Sequence, residues 1–132
     1  RVLGVIDQSV RERVDKKHGG LCMYCGCNKK PGMLYGGMQM DHIVPVSKGG
    51  HDVESNLGLA CYRCNNAKRS MTIDEFRIWI SKRNHEAYFS IPKFNKNQVE
   101  WLKSNGHDFW QEMHIVDFVF EGGDGFEHVG RD

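Results

Sequence analysis

Two Cys-x-x-Cys pairs constrain the fold of this chain more than any other feature of its sequence. The first pair is Cys22 and Cys25, the second is Cys61 and Cys64, and 35 residues lie between the two pairs. Paired thiolates at such spacings are typical ligands of tetrahedral zinc, and a closed four-sulfur shell leaves no open position for chemistry. We therefore expect one structural zinc site that joins the ends of a β-hairpin. The fifth cysteine, Cys27, is interpreted as a reduced thiol beside this site rather than as an alternative ligand.

The size and composition of the chain predict one domain with one modest core. Its 132 residues are 39% hydrophobic, and a metal site often supports a core of this size. No stretch approaches the roughly 18 consecutive apolar residues of a membrane helix, and the N-terminus lacks a charged-then-apolar secretory pattern. We therefore expect a cytoplasmic protein that is not secreted and has no membrane partner.

Charge is distributed unevenly along the chain, although the net charge is only +1. Residues 1–99 carry 16 basic against 9 acidic side chains, whereas residues 100–132 carry 2 against 8. A basic body can hold a polyanion through salt-dependent phosphate contacts. The distribution therefore indicates nucleic acid as a partner, with a plain solvated surface as the alternative interpretation.

Hydrophobic periodicity and capping residues predict both helices and strands. Asn65 is expected to cap one helix, and Thr72 and Glu75 form a capping box at the start of another. The last twelve residues are expected to be mobile. The predicted elements, in chain order, are a helix over 10–17, strands over 38–46 and 56–60, helices over 65–70 and 73–83, a helix from Asn95 or Asn97 to near Gly106, and a strand over 114–120. The tryptophans are expected in the core, namely Trp79, Trp101 and Trp110.

A second group of polar residues lies between and just after the cysteine pairs. Asp41 offers a hard oxygen ligand for a divalent cation, and His42 beside it can accept a proton from water near neutral pH. Asn65 adds an amide oxygen at a helix start, where Lys68 and Arg69 can meet a phosphodiester backbone. Because adjacent residues of a regular strand point to opposite faces, Asp41 and His42 serve one site only if the chain bends there.

The motifs fall within residues 22 to about 70. They are Cys22-x-x-Cys25, Asp41-His42-Ile43-Val44-Pro45-x-Ser47-x-Gly49-Gly50, Asn56-Leu57 and Cys61-x-x-Cys64-Asn65-x-x-Lys68. Together they resemble the HNH endonuclease family. The resemblance implies an α+β fold with a small ββα-metal core and a four-cysteine zinc site, to which we add flanking helices and a C-terminal strand. One HNH nuclease domain is expected over residues 1–132, with a C-terminal extension over residues 71–132.

The resemblance also implies roles for individual residues. His42 is the general base, Asp41 and Asn65 hold a catalytic cation, and Asn56 braces the loop and helps to orient the histidine. Asn65 stands where the family has a histidine or an asparagine, so the chain is a His-Asn-Asn variant. An amide ligand there favours Mg²⁺ or Mn²⁺ over zinc at the catalytic site. The implied reaction is hydrolysis of phosphodiester bonds by a one-metal mechanism.

The implied partner is double-stranded DNA, in a bacterial or phage-infected cell. The residues expected to contact it are Lys48, His51, Lys68 and Arg69. The C-terminal extension is expected to cap the core, with a homodimer or a larger assembly as the alternative. Two other functions stay open at this point, a catalytically silent zinc-stapled module that only binds nucleic acid and a zinc-stapled protein-interaction domain.

Overall fold

A computed structural model gives the structure of this protein and describes residues 7–129. Four α-helices and one two-stranded antiparallel sheet make up the regular structure of these residues. In chain order they are α1 (Gln8–Lys17), β1 (Met38–His42), β2 (Leu57–Cys61), α2 (Tyr62–Lys68), α3 (Ile73–Tyr88) and α4 (Lys96–Ser104). The predicted α+β fold class is confirmed. Within residues 7–129, no helix has the length and apolar character needed to cross a membrane.

Strands β1 and β2 form a hairpin whose two ends carry different chemistry. The strands pair from Met38 opposite Cys61 to His42 opposite Leu57. The second cysteine pair therefore lies at one end of the hairpin, and Asp41 and His42 lie at the other. Asp41 and His42 point to opposite faces of β1, yet both are buried, so both faces of the sheet are covered at this end.

The prediction that Asn65 caps a helix is wrong. Helix α2 begins at Tyr62, and its N-cap is Cys61, whose Sγ accepts a hydrogen bond from Cys64 N at 3.4 Å. Asn65 therefore lies inside α2. Because the second cysteine pair supplies the N-cap and a residue of the first turn, Cys61 and Cys64, this pair and the start of α2 are one structural unit.

Helix α3 begins at the predicted capping box, and α4 begins at Asn95, one of its two predicted caps. Thr72 and Glu75 exchange reciprocal hydrogen bonds at the start of α3, and Asn95 and Gln98 do the same at the start of α4. Helix α3 continues to Tyr88, beyond its predicted end at residue 83. The extension has a simple cause, since neither glycine nor proline occurs between the start of α3 and Pro92.

An aromatic cluster joins the C-terminal extension to the first cysteine pair. The ring centroid of Tyr24 lies 5.2 Å from that of Phe76 and 5.0 Å from that of Phe118, and the last two are 5.5 Å apart. Such pairs contribute about 0.5–1.5 kcal/mol each beyond the area that they bury. Phe120 N also donates to Met23 O at 2.9 Å. The extension therefore caps the core beside the first Cys-x-x-Cys pair.

The C-terminal strand predicted over residues 114–120 is absent from the described part of the chain. The segment forms only an isolated bridge between Asp117 and Gly125. Its alternating apolar side chains, Val116 and Phe118, are buried in the core all the same. The alternation of apolar and polar side chains thus indicates a half-buried extended segment. Among the described residues, no neighbouring strand pairs with this segment to form a sheet.

The tail after this segment is packed as far as it is described. Glu121 accepts hydrogen bonds from Arg77 of α3 at 2.5 and 2.7 Å, and Phe126 packs against the core. These contacts contradict the expected mobility for residues 121–129. Residues 130–132 of the expected mobile tail, and residues 1–6 of the expected single domain, lie outside the described residues.

Only one of the three tryptophans is a core residue. Trp110 is 6% exposed, whereas Trp79 is 40% exposed and Trp101 is 62% exposed. The predicted core position is therefore wrong for Trp79 and Trp101. Helical spacing places each on a defined face of its helix, but the core of the described residues does not cover either indole completely.

Candidate metal centre and active site

Four cysteine thiols converge at one end of the hairpin. The Sγ atoms of Cys22, Cys25, Cys61 and Cys64 all lie within 4.8 Å of one another, and all four residues are buried. Cys25 Sγ and Cys61 Sγ are 3.8 Å apart. A tetrahedron with Zn–S bonds of roughly 2.3 Å has sulfur–sulfur edges of roughly 3.8 Å. The thiols therefore fit one zinc ion, as their spacing predicts.

The ionisation of these thiols is strongly coupled. Hydrogen bonds from Cys25 and from the other thiols around it hold the pKa of Cys22 well below its usual range. The same kind of contact, led by that with Cys22, raises the pKa of Cys64. Thiols this close share protons among themselves, and four thiolates lie together only when a cation neutralises them.

Two further side chains border the four-cysteine cluster. Cys27 is half-buried, and its carbonyl accepts a hydrogen bond from Cys22 N at 3.1 Å, but its thiol is not one of the four clustered ligands. His128 Nε2 lies 3.2 Å from Cys64 Sγ. An imidazole N–H directed at a ligand sulfur stabilises its thiolate form. Sequence reasoning missed His128 because 64 residues separate it from its partner.

At the other end of β1, Asp41 is fully buried and already paired. Its carboxylate accepts a hydrogen bond from the Tyr24 hydroxyl at 2.5 Å and lies 3.1 Å from Lys68 Nζ. Lys68 Nζ also donates to the His42 carbonyl at 3.0 Å. Burial, with Asp41 alongside, raises the pKa of Tyr24, so its hydroxyl keeps its proton and remains a donor. The cation beside Asp41 is thus a side chain of the protein.

The described side chains do not form the catalytic cation site predicted from Asp41 and Asn65. Asp41 has no exposed surface, and Asn65 donates to Gln39 Oε1 at 2.5 Å. Within residues 7–129, no hydrogen bond links Asp41 to Asn65. A divalent cation does not fit beside Asp41 while Lys68 Nζ occupies that place. Mg²⁺ or Mn²⁺ at this end of the hairpin therefore stays a prediction.

The structure buries Lys68, one of the four residues predicted to contact nucleic acid. Its side chain has no exposed surface, so the contact, which stays a prediction, requires this side chain to move. A lysine near a helix end is normally solvated, and the buried partner that explains the exception lies 27 residues earlier in the chain. The other three predicted contacts, all exposed, remain predictions: Lys48, which pairs with Glu75, His51 and Arg69.

His42 lies on the opposite face of β1 from Asp41 and has an acidic partner there. The residue is 1% exposed, and its Nε2 lies 3.0 Å from Asp52 Oδ1. A carboxylate within hydrogen-bond distance of one ring nitrogen fixes the orientation of the imidazole. Sequence reasoning missed Asp52. The available signal was an acid in the turn that follows the end of β1.

Asn56 braces the turn between the two strands. Its Oδ1 accepts from Val44 N, and its Nδ2 donates to Val44 O and to His51 O, each at 2.9 Å. Gly50 is required in this turn because a Cβ at that position would collide with the Val44 carbonyl. These bonds fix the backbone next to Asp52 and so fix the position of that acid. These bonds fit a loop-bracing role for Asn56, and its role in orienting the histidine stays a prediction.

Comparisons with known proteins identify the segment that carries both ends of the hairpin. Residues 22–70 match the HNH endonuclease family model. The resemblance that the motifs indicate is confirmed for this HNH segment, which contains the four-cysteine cluster, His42 and Asp52. The match supports a nuclease-type function and contact with nucleic acid.

One solved structure and the curated proteins complete the comparisons. The chain is similar to a Type II-C Cas9 enzyme from Actinomyces naeslundii, with 22% sequence identity and a TM-score of 0.47. The similarity covers 84% of this chain and 14% of the Cas9 chain. The search of curated proteins gave no match.

Proposed function

We propose that this protein hydrolyses phosphodiester bonds of DNA, with His42 as the general base. The observation that carries the proposal is the pairing of His42 Nε2 with Asp52 Oδ1 at 3.0 Å inside the HNH segment. The Asp52 carboxylate holds the imidazole of His42, and a histidine held by an acid in this way can take a proton from water. The family match supports the reaction class, and the His42–Asp52 pair supports the assignment of the base.

The residues of the chain supply the base and hold its orientation. Asp52 stabilises the imidazolium that forms when His42 takes the proton, as a carboxylate does beside a catalytic histidine. The hydroxide attacks phosphorus in line, the bond to the leaving oxygen breaks, and the proton ends on a product oxygen. Because His42 is only 1% exposed, substrate binding has to shift the turn over residues 43–56 before the ring reaches water.

The two metals expected from the sequence have different roles, one structural and one catalytic. Zinc at the four cysteines is structural, since it joins the first Cys-x-x-Cys pair to the end of β2 and the start of α2. A catalytic Mg²⁺ or Mn²⁺ would supply positive charge to the attacked phosphate. The side chains around Asp41 do not fit such an ion unless Lys68 moves away. No step of the proposed reaction depends on it.

We propose that the substrate is double-stranded DNA. The basic balance of residues 1–99 and the exposed positions of Lys48, His51 and Arg69 support this choice. The C-terminal extension packs on the chain's own core, which favours capping over the alternative role in assembly. We further propose that the chain acts as one domain in the cytoplasm.

A plasmid-cleavage assay with the zinc-loaded full chain tests the proposal. Wild-type protein is expected to nick or cut the plasmid, and His42→Ala is expected to lower the rate at least about 100-fold, the scale of a lost general base. His107→Ala, at an exposed histidine of the extension, is the matched control and should cleave normally. Parallel reactions with Mg²⁺, with Mn²⁺ and with chelator measure whether a second metal takes part, and an RNA substrate measures the preference for DNA.

Each failure in this assay has a separate meaning. Unchanged cleavage by His42→Ala would show that His42 is not the base. DNA binding without cleavage in every cation would favour the alternative function, a catalytically silent zinc-stapled binding module. The reason to test for this second function is that the Asp41–Lys68 pair and the His42 ring are buried.

A further inference from the structure

A histidine of the C-terminal extension contacts the four-cysteine cluster. His128 Nε2 lies 3.2 Å from Cys64 Sγ. The ligand atoms that lie within 4.8 Å of one another belong to the four cysteines, and His128 is not a member of that group. The imidazole therefore meets one of the four sulfur atoms from outside the cluster.

An imidazole can serve a zinc site as a ligand or as a hydrogen-bond donor to a ligand. As a ligand, its nitrogen bonds the metal directly at roughly 2.0–2.1 Å and takes the place of a thiolate. In this protein four thiols already fit one zinc ion, and Nε2 of His128 faces a sulfur atom. The contact therefore favours the donor role.

Zinc binding fixes the direction of this hydrogen bond. A cysteine binds zinc as a thiolate, which has no proton to donate. In the zinc-loaded protein the imidazole of His128 therefore has to be the donor, with its proton on Nε2. Cys61 Sγ has a different donor, the backbone N–H of Cys64 at 3.4 Å. The sulfur atoms of Cys61 and Cys64 thus accept hydrogen bonds from two different parts of the chain.

The charge of the loaded cluster makes such a donor valuable. Four thiolates outweigh the charge of one Zn²⁺, so the loaded cluster carries excess negative charge. All four cysteines are buried, and a buried charge is costly unless hydrogen bonds compensate it. A donor at Cys64 Sγ therefore stabilises the zinc-loaded state.

Contacts of the neighbouring tail residues hold this imidazole in place. Phe126 N donates to Cys25 O at 3.3 Å, and Asn84 Nδ2 of α3 donates to Glu127 O at 3.0 Å. The ring of Phe126 packs against the core, and its centroid lies 5.1 Å from that of the His128 ring. Because these contacts restrain the side chain, its hydrogen bond to the sulfur costs little additional conformational entropy.

We propose that His128 is a positioning residue of the zinc centre, which donates from Nε2 to the Cys64 thiolate and so couples the docked tail to the retention of zinc. The bound metal keeps Cys64 as the acceptor that holds the tail, and the docked tail stabilises the bound metal. Such coupling is reciprocal. His128 lies outside residues 22–70, so the HNH segment of this chain depends on its C-terminal extension to keep its metal. The inference holds whether or not the protein cleaves DNA.

Competition for zinc between the full chain and a chromogenic chelator tests the proposal. His128→Leu is expected to lower the zinc affinity about 10- to 100-fold, the range for the loss of an outer-shell partner, and to speed zinc release. His128→Gln carries an N–H near the position of Nε2 and should restore most of the affinity. His107→Leu makes the same change at an exposed histidine of the extension and is the matched control.

Two spectroscopic measurements distinguish a donor from a ligand. Cobalt(II) in place of zinc should give the visible spectrum of a tetrahedral four-thiolate site in the wild type and in His128→Gln alike. In the zinc-loaded wild type, ¹⁵N NMR of the histidine rings should find Nε2 of His128 protonated. A nitrogen ligand in the cobalt spectrum, or an Nε2 without its proton, would contradict the proposed hydrogen bond.

Asn84→Ala tests whether the docked tail carries the imidazole to its sulfur. The substitution removes the donor to Glu127 O and leaves His128 and the five cysteines in place. It should lower the zinc affinity by a smaller factor than His128→Leu does. In the double variant it should add nothing to His128→Leu, because both changes act through the same hydrogen bond. Additive losses would reject the coupling between tail and metal.

Equal zinc affinities and release rates of His128→Leu and His107→Leu would overturn the proposal. So would a loss in His128→Gln as large as that in His128→Leu, since the ring would then act through packing and not through its N–H. Circular dichroism and thermal melting of the zinc-loaded variants confirm that each is folded. These measurements use no DNA, so the plasmid assay reports on the proposed function separately.

Discussion

The two ends of the β-hairpin organise polar residues in opposite ways. At one end, four identical side chains converge with all their sulfur atoms within 4.8 Å, an arrangement that needs a cation to neutralise it. At the other end, Asp41 and His42 are neighbours in sequence but have separate partners, Lys68 for the acid and Asp52 for the histidine. Four thiols that converge in space therefore indicate a metal site. Two residues that are adjacent in sequence, by contrast, need not belong to the same site.

At the end of the hairpin that carries Asp41 and His42, the two faces of β1 hold two different polar pairs. On one face, the carboxylate of Asp41 and the ammonium of Lys68 neutralise each other inside the protein, with the Tyr24 hydroxyl as a further donor. On the other face, His42 meets an acid whose own side chain is half exposed, Asp52. The first arrangement suits structure and the second suits proton transfer. Loss of a partner should therefore affect stability on one face and activity on the other.

Loss of a cysteine ligand should have the largest effect of any single change at either end. We expect Cys64→Ser to bind no zinc and to be unfolded at room temperature, because zinc binding to structural sites contributes about 10–16 kcal/mol. Zinc content and far-ultraviolet circular dichroism measure the two outcomes. Cys27→Ser is the matched control and should keep one zinc per chain. Equal loss of zinc in both variants would make Cys27 a ligand and contradict the four-cysteine assignment.

Loss of the buried ammonium should have the next largest effect, on the structural face of β1. We expect Lys68→Met to lower the free energy of unfolding by about 3–5 kcal/mol, since it leaves the Asp41 carboxylate buried without its counter-charge. Urea denaturation measures this change. Lys96→Met, at an exposed lysine of α4, should change the free energy of unfolding by less than about 0.5 kcal/mol.

The same variant distinguishes a structural ion pair from a metal ligand. If Mg²⁺ or Mn²⁺ restores the stability of Lys68→Met, Asp41 is able to hold a cation in place of the ammonium. If wild-type protein gains the same stability from either ion, the Asp41–Lys68 pair does not persist in solution, and the cation site predicted from the sequence would replace it.

The cysteine end of the hairpin could be predicted from sequence because its determinants are short-range patterns. Each Cys-x-x-Cys pair fixes two thiols on one turn, and only the approach of the two pairs depends on the fold. The starts of α3 and α4 were predictable for the same reason, since each capping box spans four residues. Asn65 was assigned wrongly because a thiol, Cys61, took the capping position.

The other features could not be predicted because their partners are distant in the chain. Lys68 is buried only because Asp41 lies 27 residues before it, and His128 meets Cys64 across 64 residues. The missing C-terminal strand has a related cause, since Phe118 gains its stabilisation from core aromatic rings rather than from a strand partner. Periodicity reports that a face is buried, but it does not report what covers that face.

Changes to Asp52 should affect activity much more than stability. We expect Asp52→Asn to lower kcat for DNA cleavage about 10- to 100-fold with little change in KM, because the amide no longer stabilises a charged His42 ring. Since the Asp52 side chain is half exposed, the free energy of unfolding should change by less than about 1 kcal/mol. Glu54→Gln alters a nearby exposed acid that pairs with Arg13 and is the matched control. A fall in KM and kcat alike in both variants would assign Asp52 a general electrostatic role instead of a positioning role.

The smallest predicted effect concerns the tail that covers the cysteine end. The hydrogen bond from Arg77 lowers the pKa of Glu121 in the folded state, so this pair stabilises the fold fully at pH values above the unfolded pKa of about 4.3. The contribution is lost as the pH falls through the lower folded pKa. At neutral pH, Glu121→Gln should reduce the free energy of unfolding by about 0.2–1 kcal/mol, as for other partly exposed ion pairs, and the difference from wild type should vanish in acid. Urea denaturation at both pH values measures it, with Glu127→Gln as the exposed control in the same tail. A difference that persists in acid would mean that Glu121 stabilises the tail through packing rather than through its charge.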